Sequence, residues 1–222
     1  MRFLSMVLAV LSLPCACVAA ARSQTPEKLQ FDASVPRERQ IELAMSAAPA
    51  EVAAKATIYV LGHAGYEKAR DGSNGFTCLV AREYVTTQEP ECFDAEGSAT
   101  LLQVDLSREE LRAQGKSEAE IAADLDEGYR AGRFVAPRKP GICYMLSSEN
   151  WVFDPSQKKV IHFPGHLMFY APYMTARDLG YEGEAVLPYL VAPGTPETLM
   201  IVVPESQTDH NHSAKNGSHS HR

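Results

Sequence analysis

The chain has 222 residues, with 21 Lys and Arg against 28 Asp and Glu, and a formal charge of −7. That length is enough to bury a sizeable core. An acidic chain without a dense Lys/Arg block is a poor partner for nucleic acid or anionic lipid, and the one basic cluster, Arg130, Arg133, Arg138 and Lys139, reads as a solvated helix end.

Met1-Arg2 supplies a positive start, and Phe3 to Leu13 is an apolar run broken only by Ser5 and Ser12. The run fits the core of a signal peptide and falls short of the roughly 20 apolar residues of a membrane span. Ala19-Ala20-Ala21 offers small residues for cleavage. Residues 1–21 are therefore expected to leave as a signal peptide, taking Cys15 and Cys17, and the mature chain to work in the periplasm or outside the cell. No later stretch is long and apolar enough to span a membrane. Residues 22–35 read as a flexible arm, 36–204 as a single α+β domain, and 205–222 as a disordered, His-containing tail.

Pro36 opens a helix whose apolar stripe is Ile41, Ala44, Met45 and Ala48, and Pro49 starts a second short turn to Lys55. Thr57 to Leu61 is β-branched and aromatic, a strand. Tyr66–Arg70 and Gly75–Arg82 flank the turn-forming Asp71-Gly72-Ser73-Asn74 and suggest a β-hairpin. Residues 83–98 read as a surface loop, and Thr100 to Val104 as a short strand. Ser107 to Glu110 has the pattern of a capping box, with Leu106 and Leu111 as a hydrophobic staple and Gly115 as the stop. Ser117 to Glu120 repeats the box before a helix bearing Ile121, Leu125 and Tyr129, ended by Gly132.

Strands resume at Ile142–Leu146. A hairpin follows at Trp151–Phe153 and Lys159–His162, then an apolar run from His166 to Tyr170. Thr175 starts a short helix to Leu179, and Leu187–Val191 and Thr198–Val203 are further strands. Helices cluster in two places and strands elsewhere, which predicts an α+β fold with a mainly antiparallel sheet, a capped helix pair and an N-terminal helix.

Three cysteines follow the leader: Cys78, Cys92 and Cys143. An oxidising compartment calls for one pair and one leftover thiol. Three pairings are open. The short loop between Cys78 and Cys92 favours that bridge, with Cys143 as a buried hydrophobe. His162 and His166 have a metal-like spacing, but Pro164-Gly165 between them forbids a shared helix. They could converge across a turn with Glu149 or His63, or each could bond to backbone. His210, His212, His219 and His221 alternate in the tail and are the better candidates for weak Zn, Ni or Cu binding. The acidic residues Asp105, Glu109, Glu110, Glu118, Glu120, Asp124 and Asp126 are assigned to helix faces and caps. There is no phosphate-binding glycine loop and no cofactor motif.

Gly75-Phe76-Thr77-Cys78-Leu79-Val80, with Pro164-Gly165-His166-Leu167-Met168-Phe169-Tyr170 downstream, is similar in chain order to the NlpC/P60 cell-wall peptidases. There a cysteine nucleophile precedes a histidine that opens an apolar strand. The resemblance implies a cysteine hydrolase using Cys78 and His166, although the family's Asp-Cys-Ser-Gly run is absent here. Gly75 to Val80, with the segments Tyr144–Asn150 and Phe163–Tyr173, also resembles a group of small exported bacterial proteins without an assigned activity. That likeness implies a shared fold and a bacterial source. The sequence thus leads to an exported domain that binds a small molecule or envelope component, with the cysteine hydrolase as the alternative.

Overall fold

The computed structural model describes residues 31–154, 156–181 and 188–204. The expected signal peptide 1–21, residues 22–30 of the expected arm and the expected tail, with His210, His212, His219 and His221, lie outside the described residues, as does residue 187 of the expected strand 187–191.

Among the described residues, five α-helices and ten strands build an α+β fold. The N-terminal elements are α1 (Arg37–Ser46), α2 (Ala50–Ala53), β1 (Thr57–Gly62), β2 (Gly65–Arg70), β3 (Thr77–Ala81) and β4 (Glu89–Phe93). Then come α3 (Ala95–Ala99), α4 (Leu101–Ala113), α5 (Glu118–Arg130) and β5 (Ile142–Met145). The last strands are β6 (Trp151–Asp154), β7 (Lys159–His162), β8 (His166–Tyr170), β9 (Tyr189–Val191) and β10 (Leu199–Val202). Eight strands form one sheet in the order β2-β1-β3-β4-β5-β8-β10-β9, while β6 and β7 pair separately. Every neighbouring pair in the large sheet is antiparallel except β1–β3.

The pleat divides the sheet into two faces. On one, α1 packs Leu43, Ala44 and Ala47 against Ile58, Cys78, Val80 and Cys92. On the other, Leu101 and Leu102 of α4 meet Leu79, Phe93, Cys143, Met145 and Met168. Helix α5 lies outside α4, with Ile121 and Leu125 packed on Val104. The Ser117 capping box is formed, and Gly132 takes the left-handed conformation past the helix end, φ 75°.

Several local readings change once long-range partners are present. The stripe of α1 is rotated by about one residue toward Gln40, Leu43, Ala44 and Ala47. Gln40 goes inside because its amide stands in for a strand: it accepts from Leu61 N at 2.6 Å and donates to Leu61 O at 3.2 Å. The end of the expected arm is also ordered, since Phe31 is fully buried and its carbonyl accepts from Arg82. The hairpin partner of β2 is β1, across His63-Ala64, and not β3. The segment Asp71–Phe76 is instead a crossover that lies against the start of β1. A Cβ on Gly72 would come within 2.2 Å of Thr57 N, so only glycine fits there.

The expected strand 100–104 is the first turn of α4, an ambiguity that short apolar runs always carry. Ser107 is therefore inside a helix, and its box and staple do not form an end. The cap upstream is Asp94, whose carboxylate accepts from Gly97 N at 2.9 Å at the start of α3.

The largest revision is β4. The expected surface loop is a central strand, with Glu89, Pro90, Cys92 and Phe93 buried. Proline normally excludes a central position because it cannot donate to the ladder. Here Gln88 N points away from β3, donating to Trp151 O in an isolated bridge. Pro90, two residues on, directs its nitrogen the same way. It falls in the gap between that bridge and the β5 ladder, which begins at Cys92. No hydrogen bond is lost.

Cys78 and Cys92 are directly opposed on β3 and β4 and form a disulfide. Cys143 is the buried free thiol. The Cys78→Ala, Cys92→Ala double variant is expected to lose about 2–4 kcal/mol of unfolding free energy while keeping its helical signal, because α4 and α5 lie outside the closed loop. Urea denaturation followed by circular dichroism checks this, and an unchanged midpoint would show that the bridge contributes nothing.

Candidate functional site

A cavity of about 690 Å³ lies on the α4 face of the sheet. Its floor is apolar: Phe93, Met145, Met168, Leu199 and Ile201 from the sheet, with Leu101 from α4. The β6–β7 hairpin closes one side with Val152, Phe153, Ile161 and Phe163. Exposed Glu83, Tyr84, Val191 and Ala192 mark its mouth, where the Tyr84 and Phe153 rings sit 4.9 Å apart.

One wall is strongly polar. Alternation along β4 sends Glu89, Glu91 and Phe93 to the cavity face, opposite Ala81, Leu79 and Thr77 of β3. Helix α4 faces them with Asp105 and Arg108, three residues apart and so on one side of the helix. Arg108 pairs with Asp105 and lies 3.9 Å from Glu197, which precedes β10. The helix is held in place by a buried network. Glu109, 3% exposed, takes both Arg82 and Arg112, and Arg112 also donates to the carbonyls of Arg82 and Glu83. This ties α4 to the end of β3, one turn from the groups that line the cavity.

Burial dominates the electrostatics. It raises the Glu89 carboxyl, with the Glu83 charge adding to the effect and a Thr87 hydrogen bond opposing it, to about 8. Burial and the charges of Asp105 and Glu89 push Glu91 well above the carboxylate range. Asp105 and Glu197 are raised by burial too, and Arg108 pulls both back. Glu89 is 7% exposed, and its Oε1 has no hydrogen-bond partner among the described residues. The one hydrogen-bond contact of the Glu91 side chain among them is the Cys143 thiol at 4.0 Å. Burial holds that thiol well above its ordinary value, so it stays protonated and inert.

The residues singled out from the sequence are mostly elsewhere. Cys78 is bonded to Cys92 and faces α1, while His166 faces the cavity on the opposite side of the sheet. Strands β4 and β5 separate them, about 14 Å by strand spacing, so they form no nucleophile–base pair. His166 is buried, bonds through Nδ1 to Pro164 O at 2.9 Å and stacks edge-on to Phe163. Burial lowers its proton affinity, so Nδ1–H is the donor of a neutral ring. His162 bonds to Ser148 O at 2.8 Å on the separate hairpin. Glu149 pairs with Arg39 at 2.7 Å, and His63 sits in the β1–β2 turn near the far edge of the sheet. These four do not converge, and no group of three or more His, Cys, Asp or Glu among the described residues is placed to hold a metal ion. Among the described residues, no helix is long and apolar enough to cross a membrane.

Glu89 and Glu91 were hidden in an apparent loop, and Asp105 in an apparent helix cap. The available signal was Glu89-x-Glu91-x-Phe93, a period-two pattern next to Cys92 that a strand would send to one face. No family model matches this chain, and no curated protein and no solved structure matches it.

The sign of the pH dependence follows from Glu89. Its folded-state pKa is raised above the unfolded value, so its contribution is complete below the unfolded pKa near 4.5 and is lost as pH rises to about 8. Glu89 alone should contribute up to about 1.4 kcal/mol of stability per pH unit on acidification through that window, with the raised carboxyl of Glu91 acting in the same direction. Glu89→Gln should flatten the slope and be the more stable form at pH 8. Parallel pH–stability curves from chemical denaturation would contradict this.

Proposed function

We propose that this chain is a binding protein for a small amphipathic molecule, acting in the periplasm or outside the cell, with its ligand in the cavity between α4, the sheet and the β6–β7 hairpin. The observation that carries the reading is the cavity itself: about 690 Å³, apolar on its floor and polar along one wall. Ligand sites have this size and make-up, an apolar lining with a few placed polar groups. Burying several carboxyls with one arginine is costly unless they are used. The disulfide supports an oxidising location, in line with the leader-like start of the sequence. One observation favours a second reading. A carboxyl that keeps its proton near neutral pH is what a general acid requires, so Glu89 also suits an enzyme. Turnover of chromogenic ester or glycoside substrates, lost in Glu89→Gln, would favour that reading.

The neutral dye Nile red tests the cavity directly. The parent should bind it saturably at one site with a blue-shifted emission, and Leu199→Trp, which fills the floor, should abolish binding while leaving the fold intact by circular dichroism. Absence of saturable binding, or equal binding by the filled variant, would overturn the assignment.

A further inference from the structure

We infer that the ligand carries a cationic group, a primary ammonium or a guanidinium, on an apolar body, and that it docks between Glu89 and Glu91 by displacing a carboxyl proton. This rests on the binding reading above and specifies its chemistry.

The charged groups around the cavity divide into two sets. Arg108 is already engaged by Asp105 and Glu197, so those two carboxylates have a resident counter-ion. Glu83 lies at the exposed mouth, and the charges of Arg108 and Arg112 oppose the desolvation of its carboxyl. Asp154 accepts from Ser156 and Gln157 within its own turn, and His166 is neutral and tied to Pro164 O. Glu89 and Glu91 remain, with no basic side chain bonded to either among the described residues. They are two positions apart on one strand face, about 7 Å along the strand. One ammonium or guanidinium group can bridge that span with bonds to both carboxyls. The unpartnered Oε1 of Glu89 marks where the first bond is missing.

The chemistry balances simply. Without a bound cation the Glu89 carboxyl carries a proton, because no basic side chain bonds to it among the described residues and burial disfavours the anion. An arriving cation supplies the counter-charge. The carboxyl O–H bond breaks, the proton passes to bulk solvent, and the carboxylate accepts from the ligand N–H. A metal ion would need three or more clustered ligands, which the described residues do not provide. An anionic ligand would meet carboxyls, with Arg108 already engaged and no other Lys or Arg among the described lining residues. The apolar floor beyond the pair accommodates the rest of the molecule.

Three probes of equal chain length separate the possibilities: octylammonium, octanol and octanoate. Isothermal titration at pH 7 in buffers of different ionisation enthalpy measures affinity and proton release together. Octylammonium should bind tightest and release about one proton. Glu89→Gln should weaken it by about ten-fold or more and abolish the release, since charge-assisted bonds contribute about 1.5–3 kcal/mol. Octanol affinity should be unchanged in that variant, which also shows that the variant is folded and its cavity intact. Octanol or octanoate binding more tightly than octylammonium, or octylammonium binding without proton release or not at all, would overturn the inference. If Nile red still binds, the cavity reading survives that failure. If Nile red fails as well, both fall.

Discussion

The pleat of β4 is the constraint on which the rest of the structure depends. Its alternation turns Glu89, Glu91 and Phe93 to one face of the sheet and Pro90 and Cys92 to the other. A strand register can slip by one residue only by exchanging its faces. Here that exchange would drive two carboxyls into the alanine- and leucine-lined contact with α1. The Cys78–Cys92 bridge joins directly opposed residues and so excludes the slip covalently. The same strand thus closes the core on one side and builds a polar wall on the other.

The polar wall is costly, and the surrounding elements limit the cost in different ways. For Asp105 and Glu197 the answer is Arg108, whose charge is strengthened by both carboxylates against the effect of its own burial. For Glu109 the answer is a complete network, with Arg82 and Arg112 donating to its two oxygens. Removing one partner from such a buried pair typically costs about 3–5 kcal/mol. Helix α4 is thereby fixed against β3, and Asp105 and Arg108 are fixed over β4. Among the described residues no basic side chain bonds to Glu89 or Glu91, the charge of Arg108 offsets only part of the rise at Glu91, and the proton is retained instead. A fold that pairs three carboxylates with arginine and leaves two neutral beside an open cavity has concentrated its unpaired polarity at one place.

Local signals in the sequence were reliable where local forces decide. The Ser117 capping box forms because its partners lie three residues apart, and the β6–β7 hairpin and the strand His166–Tyr170 follow from compact patterns. The α+β class with a mainly antiparallel sheet was legible for the same reason. What failed needed a distant partner. Glu89-Pro90-Glu91 looks like a loop until the Trp151 bridge and the β5 ladder place its missing donor in a gap. Ser107 looks like a cap until Leu101 and Leu102, packed on the sheet, draw the helix two turns upstream. The β1–β2 pairing depends on a two-residue turn at His63-Ala64, which lacks the usual Asn-Gly signature. The candidate site was missed because Glu89 and Glu91 fell in the expected surface loop 83–98, and Asp105 lay beside the expected helix start at Ser107. Cys78 and His166, chosen by chain order, are separated by the sheet itself.

The most direct test is a carboxyl-detected NMR titration of the ligand-free protein labelled at glutamate Cδ, with Glu89→Gln for assignment. Glu89 should titrate near pH 8, far from the ordinary range near 4.5, with a resonance that vanishes in the variant, and Glu91 should titrate above that range as well. If every glutamate titrates in the ordinary range, β4 does not hold a protonated carboxyl in the cavity, and the account of the site is wrong.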